Sequence, residues 1–163
     1  MKSPMRVEKD FKEFLSSLVS RKAKFLIVGG FAYAIYAEPR YTKDLDVFIE
    51  RSEENAKRVL SVIRDFLGDS LGLKKSDLLE PRTLVQLGYP PLRIDLTTHC
   101  DGIVFKSAWK NKVAGKFGDI DVFFLSLDDL IKNKAATGRD QDTVDVNHLL
   151  KVRDIRRGRN GRP

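Results

Sequence analysis

The sequence predicts an α/β chain in the α+β sense: a mixed sheet with helices packed mainly on one face and a helical C-terminal part. Three observations predict it. Helical-period segments alternate with short apolar runs at close spacing, two runs follow one another without a helix between them, and the chain is helical again from Ser126 onward. With 163 residues the chain is one ordinary domain. We place that domain at residues 1–153, with a basic, flexible tail at 154–163.

Each element has a local reason. Val7, Phe11, Phe14, Leu15 and Leu18 recur at helical spacing, so residues 6–20 read as an amphipathic helix. Phe25 to Val28 is a short apolar run closed by glycines, which suits a buried strand. Phe31 to Ala37 reads as a short helix that stops before Pro39. Asp44 to Ile49 alternates acidic and apolar residues and reads as a second strand. Ser52 caps the helix that follows, Ala56, Val59, Leu60, Ile63, Phe66 and Leu67 form its stripe, and Gly68 ends it. Residues 69–81 read as a loop with room for one helical turn. Thr83 to Leu87 and Leu92 to Thr98 read as strands joined across GYPP, and Ile120 to Leu125 as one more. Ser126 caps a helix over Leu127 to Thr137, Gly138 interrupts, and Asp140 to Arg153 is a last helix.

Composition bounds the function. Apolar residues make up 42 % and charged residues 33 %, the balance of a folded globular domain. The longest apolar run, Phe25 to Ala37, is 13 residues with two glycines inside, short of the roughly 20 that cross a bilayer. The N-terminus lacks the apolar core of a signal peptide, and the lone Cys100 leaves no intrachain disulfide, so we expect a cytoplasmic protein with no membrane association. The net charge of +7 is mostly local: residues 151–163 hold six Lys or Arg and one Asp, leaving 24 basic and 22 acidic groups in residues 1–150. The tail reads as a solvated end, or as a weak contact for nucleic-acid phosphates.

The chemistry concentrates in VGGFAYAIYAEPRYTKDLDVF, residues 28–48. Gly29 and Gly30 stand where a strand hands over to a helix; they serve a tight turn, or they let unhindered amides face an anion. Asp44 and Asp46 lie two apart on a strand and so share a face. They form a solvated edge, or a crowded site whose repulsion a hard divalent cation relieves. Asp95 lies at the centre of the apolar strand LRIDLT, where a salt bridge to Arg82 or Arg93 or a shared cation would compensate it. If its strand neighbours that of Asp44 and Asp46, three carboxylates converge in the manner of two-metal phosphoryl transfer. His99-Cys100-Asp101 has neither zinc spacing nor a second cysteine, His148 reads as packing on its own helix, and Phe31, Tyr33 and Tyr36 read as core.

With 13 residues between Gly30 and Asp44 and a later apolar-Asp-apolar strand, the chain resembles the DNA polymerase β-type nucleotidyltransferase superfamily. PRYTKDLD, with Arg40 four and Thr42 two residues before Asp44, is similar to the R-x-S/T-x-D-h-D form of the AbiEii-like and minimal nucleotidyltransferases. LIKNKAATGRDQDTVDVNHL is also similar to that subgroup, through Lys134, Ala135, Ala136, Arg139, Asp142 and Asp145. Two departures stand out: many members have Gly-Ser at Gly29-Gly30, and the subgroup's Lys-Asp is Gln141-Asp142 here.

The resemblance implies a nucleotidyltransferase-like sheet and a metal-dependent enzyme. It implies transfer of a nucleoside monophosphate from an NTP, ATP by default, to a hydroxyl, with release of pyrophosphate. Asp44 and Asp46 would ligate two Mg²⁺ or Mn²⁺ ions, and Asp95 one of them while helping to deprotonate the acceptor. Gly29, Gly30 and Lys134 would serve the triphosphate, with Thr42 and Arg139 in the nucleotide site. Arg40 would pair with phosphate or brace the acidic strand, and Asp142 and Asp145 would orient Lys134 or Arg139 or stabilise a helix start. The acceptor is left open among a tRNA end, a protein side chain and a small molecule, with room for a homodimer or partner protein to complete the site. The alternative is a non-catalytic nucleotide- or RNA-binding module, or a toxin–antitoxin component, that retains the fold.

Overall fold

A computed structural model describes residues 4–38, 42–69, 71–88 and 93–160. The chain begins with helix α1 (Pro4–Ser20), whose Phe11, Phe14, Leu15 and Leu18 are at most 1 % exposed. Strand β1 (Phe25–Val28) follows, then α2 (Gly29–Tyr36), β2 (Asp44–Ile49) and α3 (Glu53–Leu67). Ser52 accepts the Asn55 amide at 3.1 Å to start α3, and Gly68, at φ +74°, closes it. A 3₁₀ segment, Lys75–Leu79, precedes β3 (Leu84–Leu87) and β4 (Arg93–Thr97). Then come α4 (Phe105–Lys110), β5 (Val113–Phe117), β6 (Ile120–Phe124), α5 (Leu127–Thr137) and α6 (Asp140–Asn160).

The strands form one six-stranded mixed sheet in the order β3-β4-β2-β1-β6-β5. β2 lies inside it, antiparallel to β1 and parallel to β4. The period of two along β2 divides its side chains. Leu45, Val47 and Ile49 point to one face and are at most 1 % exposed, while Asp44, Asp46 and Phe48 point to the other. Register carries the division into β4, where Leu45 and Val47 oppose Ile94 and Leu96, and Asp46 opposes Asp95. α1 and α3 pack on each other through Phe14 and Phe66, ring centroids 5.3 Å apart. α4 sits on the acid-bearing face, where Phe105 meets Phe48 at 5.1 Å.

The structure differs from the sequence reading in four places. α2 starts at Gly29, so both glycines lie in its first turn. α4 and β5 occupy a stretch to which the sequence reading assigned no element. β5 is an edge strand whose residues Val113 and Ala114 are exposed, so no buried apolar pattern marks it. α6 continues to Asn160, seven residues beyond the boundary placed at Arg153. Arg153 reaches Asp128 at 3.3 Å and Arg156 lies 5.2 Å from the Tyr36 ring, and the arginines of this last stretch complement the negative end of the helix dipole. Arg40 and the Tyr89-Pro90-Pro91 part of the GYPP connection lie outside the described residues.

Candidate active site

Three elements build the site: the start of α2, the first half of β2, and β4. The parallel pairing of β2 with β4 sets Asp44 opposite Arg93 and Asp46 opposite Asp95. Gly29 has φ +67°, a left-handed conformation, and a Cβ placed on it would stand 2.2 Å from Asp46 Oδ2. A β-carbon on Gly30 would stand 2.9 Å from Thr42 Oγ1, which itself donates to the Asp44 carbonyl at 3.3 Å. The glycine pair is therefore a fitted surface: the backbone at the head of α2 lies directly against Asp46 and Thr42.

Arg93 sits among the carboxylates. Its Nε donates to Asp95 Oδ1 at 2.9 Å, and Nη2 donates to Asp44 Oδ2 at 3.1 Å and Asp95 Oδ2 at 3.3 Å. Of the salt-bridge partners the sequence offered Asp95, the structure selects Arg93, because Arg93 and Asp95 share a face of β4 two residues apart. The carboxyl of Asp46 is pushed up to about 7 by burial, then by the charges of Asp95 and Asp44, against the opposing pull of Arg93 and Arg139. Arg93 is the site residue that sequence reasoning left without a functional role; its i, i+2 spacing from Asp95 was the available signal.

The sequence-derived cations separate. Arg139 is 76 % exposed in its side chain, donates to Asp142 at 2.7 Å and acts electrostatically on Asp46. Lys134 is buried, at 7 % exposure, and its Nζ donates to Asp145 Oδ2 at 2.8 Å and Asp142 Oδ1 at 3.3 Å, with the Tyr33 ring 5.4 Å away. This buried triad ties α5 to α6. Burial raises Asp142, but hydrogen bonds from Thr137 and Arg139 and the nearby cations hold it below the ordinary carboxylate value. Cys100 is buried, and desolvation followed by the charge of Asp101 pushes its thiol up to about 12, which removes it as a nucleophile. His99 pairs with Asp101 at 2.8 Å, and His148 meets the Tyr33 hydroxyl at 3.1 Å.

As a cation site the acids fit by donor type and by electrostatics. Their oxygens are the hard ligands that Mg²⁺ and Mn²⁺ take, and burial, followed by the charges of Asp95 and Asp44, raises the Asp46 carboxyl in a way that a divalent ion would relieve. Among the described residues, no three His, Cys, Asp or Glu side chains are grouped closely enough to hold a metal ion. Also among the described residues, no helix is long and apolar enough to cross a membrane.

Comparison with solved structures finds relatives of the fold. The fold is similar to the lincosamide antibiotic adenylyltransferase LnuA in its lincomycin-bound form, at a TM-score of 0.55 and 12 % identity, covering 88 % of this chain and 96 % of that one. It is similar as well to TM1012 of Thermotoga maritima, provisionally named a nucleotidyltransferase, at a TM-score of 0.54 and 13 % identity, covering 99 % and 97 %. No curated protein matches in sequence. The family model described as "Nucleotidyltransferase of unknown function (DUF6036)" matches residues 5–156. The acids that register brings together thus lie within a span that identifies the chain as a member of the DUF6036 nucleotidyltransferase family.

Proposed function

We propose that the chain is a metal-dependent enzyme that moves a nucleoside monophosphate from an NTP, ATP by default, onto a hydroxyl acceptor. The observation that carries the reading is the in-register pair Asp46 and Asp95, with the head of α2 packed on Asp46. Asp44, Asp46 and Asp95 would hold Mg²⁺ or Mn²⁺, two ions by resemblance, supplying charge neutralisation at the transferring phosphoryl group. The amides at Gly29 and Gly30 present donors and the positive end of the α2 dipole to the triphosphate. Arg139, the exposed cation, compensates charge that develops on the leaving pyrophosphate. Lys134, locked between Asp142 and Asp145, acts as a positioning residue that fixes the α5–α6 corner from which Arg139 projects.

In the step itself the acceptor oxygen attacks the α-phosphorus and the bond to the bridging β-phosphate oxygen breaks. Pyrophosphate leaves, and Asp95 takes the hydroxyl proton. Arg93 must yield Asp44 and Asp95 to the cation, so its guanidinium competes with metal in the free protein.

The motif around Arg40, Thr42 and Asp44 and the Lys134-to-Asp145 segment support placement in the AbiEii-like subgroup, while a toxin–antitoxin component belongs to the non-catalytic alternative. A small-molecule acceptor, by analogy with the lincosamide of LnuA, is the competing assignment. A second reading, a nucleotide- or RNA-binding module without turnover, is favoured by the ion pairs through which Arg93 already neutralises Asp44 and Asp95.

Incubation with each NTP labelled at the α-phosphate, Mg²⁺ and cell extract tests the reading. We expect label in one acceptor class, lost with Asp46→Asn while the protein stays folded. No transfer from any NTP, together with nucleotide binding that survives Asp46→Asn, would establish the second reading instead.

A further inference from the structure

A cavity of about 740 Å³ opens where the parallel strands β2 and β4 end, floored by Phe48 and walled by Phe105 and Trp109 of α4. Phe48 is two residues along β2 from Asp46 and on the same face, roughly 7 Å away. Five cations line this groove, Lys24, Arg51, Arg82, Lys106 and Lys110, against one carboxylate, Glu50. Its lining is therefore +4, whereas residues 1–150 as a whole, with 24 basic and 22 acidic groups, are only +2. The rest of that span is net negative, so the positive charge is gathered in this groove.

Two of the five cations are occupied locally: Lys24 pairs with Glu50 at 3.6 Å, and Arg51 donates to the Leu79 carbonyl at 3.1 Å. Arg82, Lys106 and Lys110 are exposed and make no ion pair among the described residues. A packing role explains the aromatics, since Phe105 and Trp109 stack at 5.7 Å and 19°. It does not explain three unpaired cations around them, whose mutual repulsion a bound polyanion would relieve. A cationic rim over aromatic walls is the combination that holds a phosphate backbone while bases meet ring faces.

We propose that this groove binds single-stranded nucleic acid, with Arg82, Lys106 and Lys110 on the phosphates and a base against the Phe105–Trp109 wall. Binding stands on the groove alone. Only the further role of that strand as the acceptor, delivered along the β2 face towards Asp46, rests on the transfer reading above.

Trp109 is the chain's single tryptophan and reports directly. Titrating the full chain with a ten-nucleotide uridine strand is expected to quench its fluorescence saturably, with affinity falling as salt rises. Lys106→Glu with Lys110→Glu is expected to weaken binding tenfold or more. Arg157→Ser with Arg159→Ser is expected to leave it within twofold. Should circular dichroism show that the charge reversal unfolds the chain, Arg82→Gln in its loop serves in its place, with a threefold or greater loss expected. The proposal is overturned by unchanged affinity in the groove variants, by loss of binding in the α6 variant, by a duplex of equal length binding as tightly, or by uridine monophosphate alone quenching at the same concentrations. Strand binding without nucleotidyl transfer upholds the groove and counts against the transferase.

Discussion

The Asp46 carboxyl is pushed up towards neutral pH, far above an ordinary aspartate, and this makes a stability prediction with a definite sign. Its carboxyl rises from 3.8 to about 7 because folding buries it and places Asp95 and Asp44 beside it. The folded state therefore holds the proton more tightly than the unfolded one. That contribution is complete below about pH 4 and is lost as pH climbs through 7, a span worth on the order of 4 kcal/mol. In chelator-treated protein, Asp46→Asn should raise stability at pH 8 by about 1–3 kcal/mol and leave it nearly unchanged at pH 4, read by urea denaturation at both values. Loss of stability at pH 8 would mean that the carboxylates are not in conflict. At this scale the sequence was informative about type and face: Asp-Leu-Asp in a strand says which residues share a side. It offered Arg93 as a partner for Asp95 on the same strand but could not say that Arg93 would also reach Asp44, because that depends on which strand neighbours which.

The α5–α6 corner shows how elements are locked together. Ser126 accepts the Asp129 amide at 3.1 Å to begin α5, Gly138 at φ +68° ends it, and Lys134 then bonds Asp142 and Asp145 across the turn. Both caps were legible, since Ser before an apolar-periodic run and Gly after it act through local backbone geometry. The burial of Lys134 was not, because a lysine in a helix is indistinguishable in sequence from a solvated one until its partner helix is placed. Lys134→Met should cost about 3–5 kcal/mol in thermal or urea unfolding, since two buried carboxylates lose their counter-charge. Adding Asp142→Asn and Asp145→Asn should recover more than half of that loss. A Lys134→Met variant as stable as the parent would place the lysine in solvent. The opposite kind of miss is β5: exposed at Val113 and Ala114 and holding Gly115 against the Phe124 ring, it has a strand's backbone without a strand's pattern.

Across the whole molecule, the sheet order puts the acid-bearing strands β2 and β4 inside and leaves β3 and β5 at the edges. Leu26, Ile27, Leu45, Val47, Ile94 and Leu96 are at most 2 % exposed, so the sheet centre opens only when the domain opens. Amide exchange should be slowest in β1, β2 and β4 and at least tenfold faster in β5, measured by mass spectrometry on peptides spanning each strand. Exchange in β2 as fast as in β5 would contradict an interior site strand. The class of fold was readable because alternating periods report it. The strand order was not, since a crossover connection leaves no local trace.

Where many of the resembled proteins have a serine after the first glycine, this chain has Gly30, and Thr42 Oγ1 stands 2.9 Å from where that serine's β-carbon would be. A hydroxyl is present in the same small volume but has moved its covalent address from the helix to the segment entering β2. The two positions should then be interchangeable only as a pair. Gly30→Ser alone crowds Thr42, whereas Gly30→Ser with Thr42→Ala returns one oxygen to one space. The double variant is expected to melt closer to the parent than either single change.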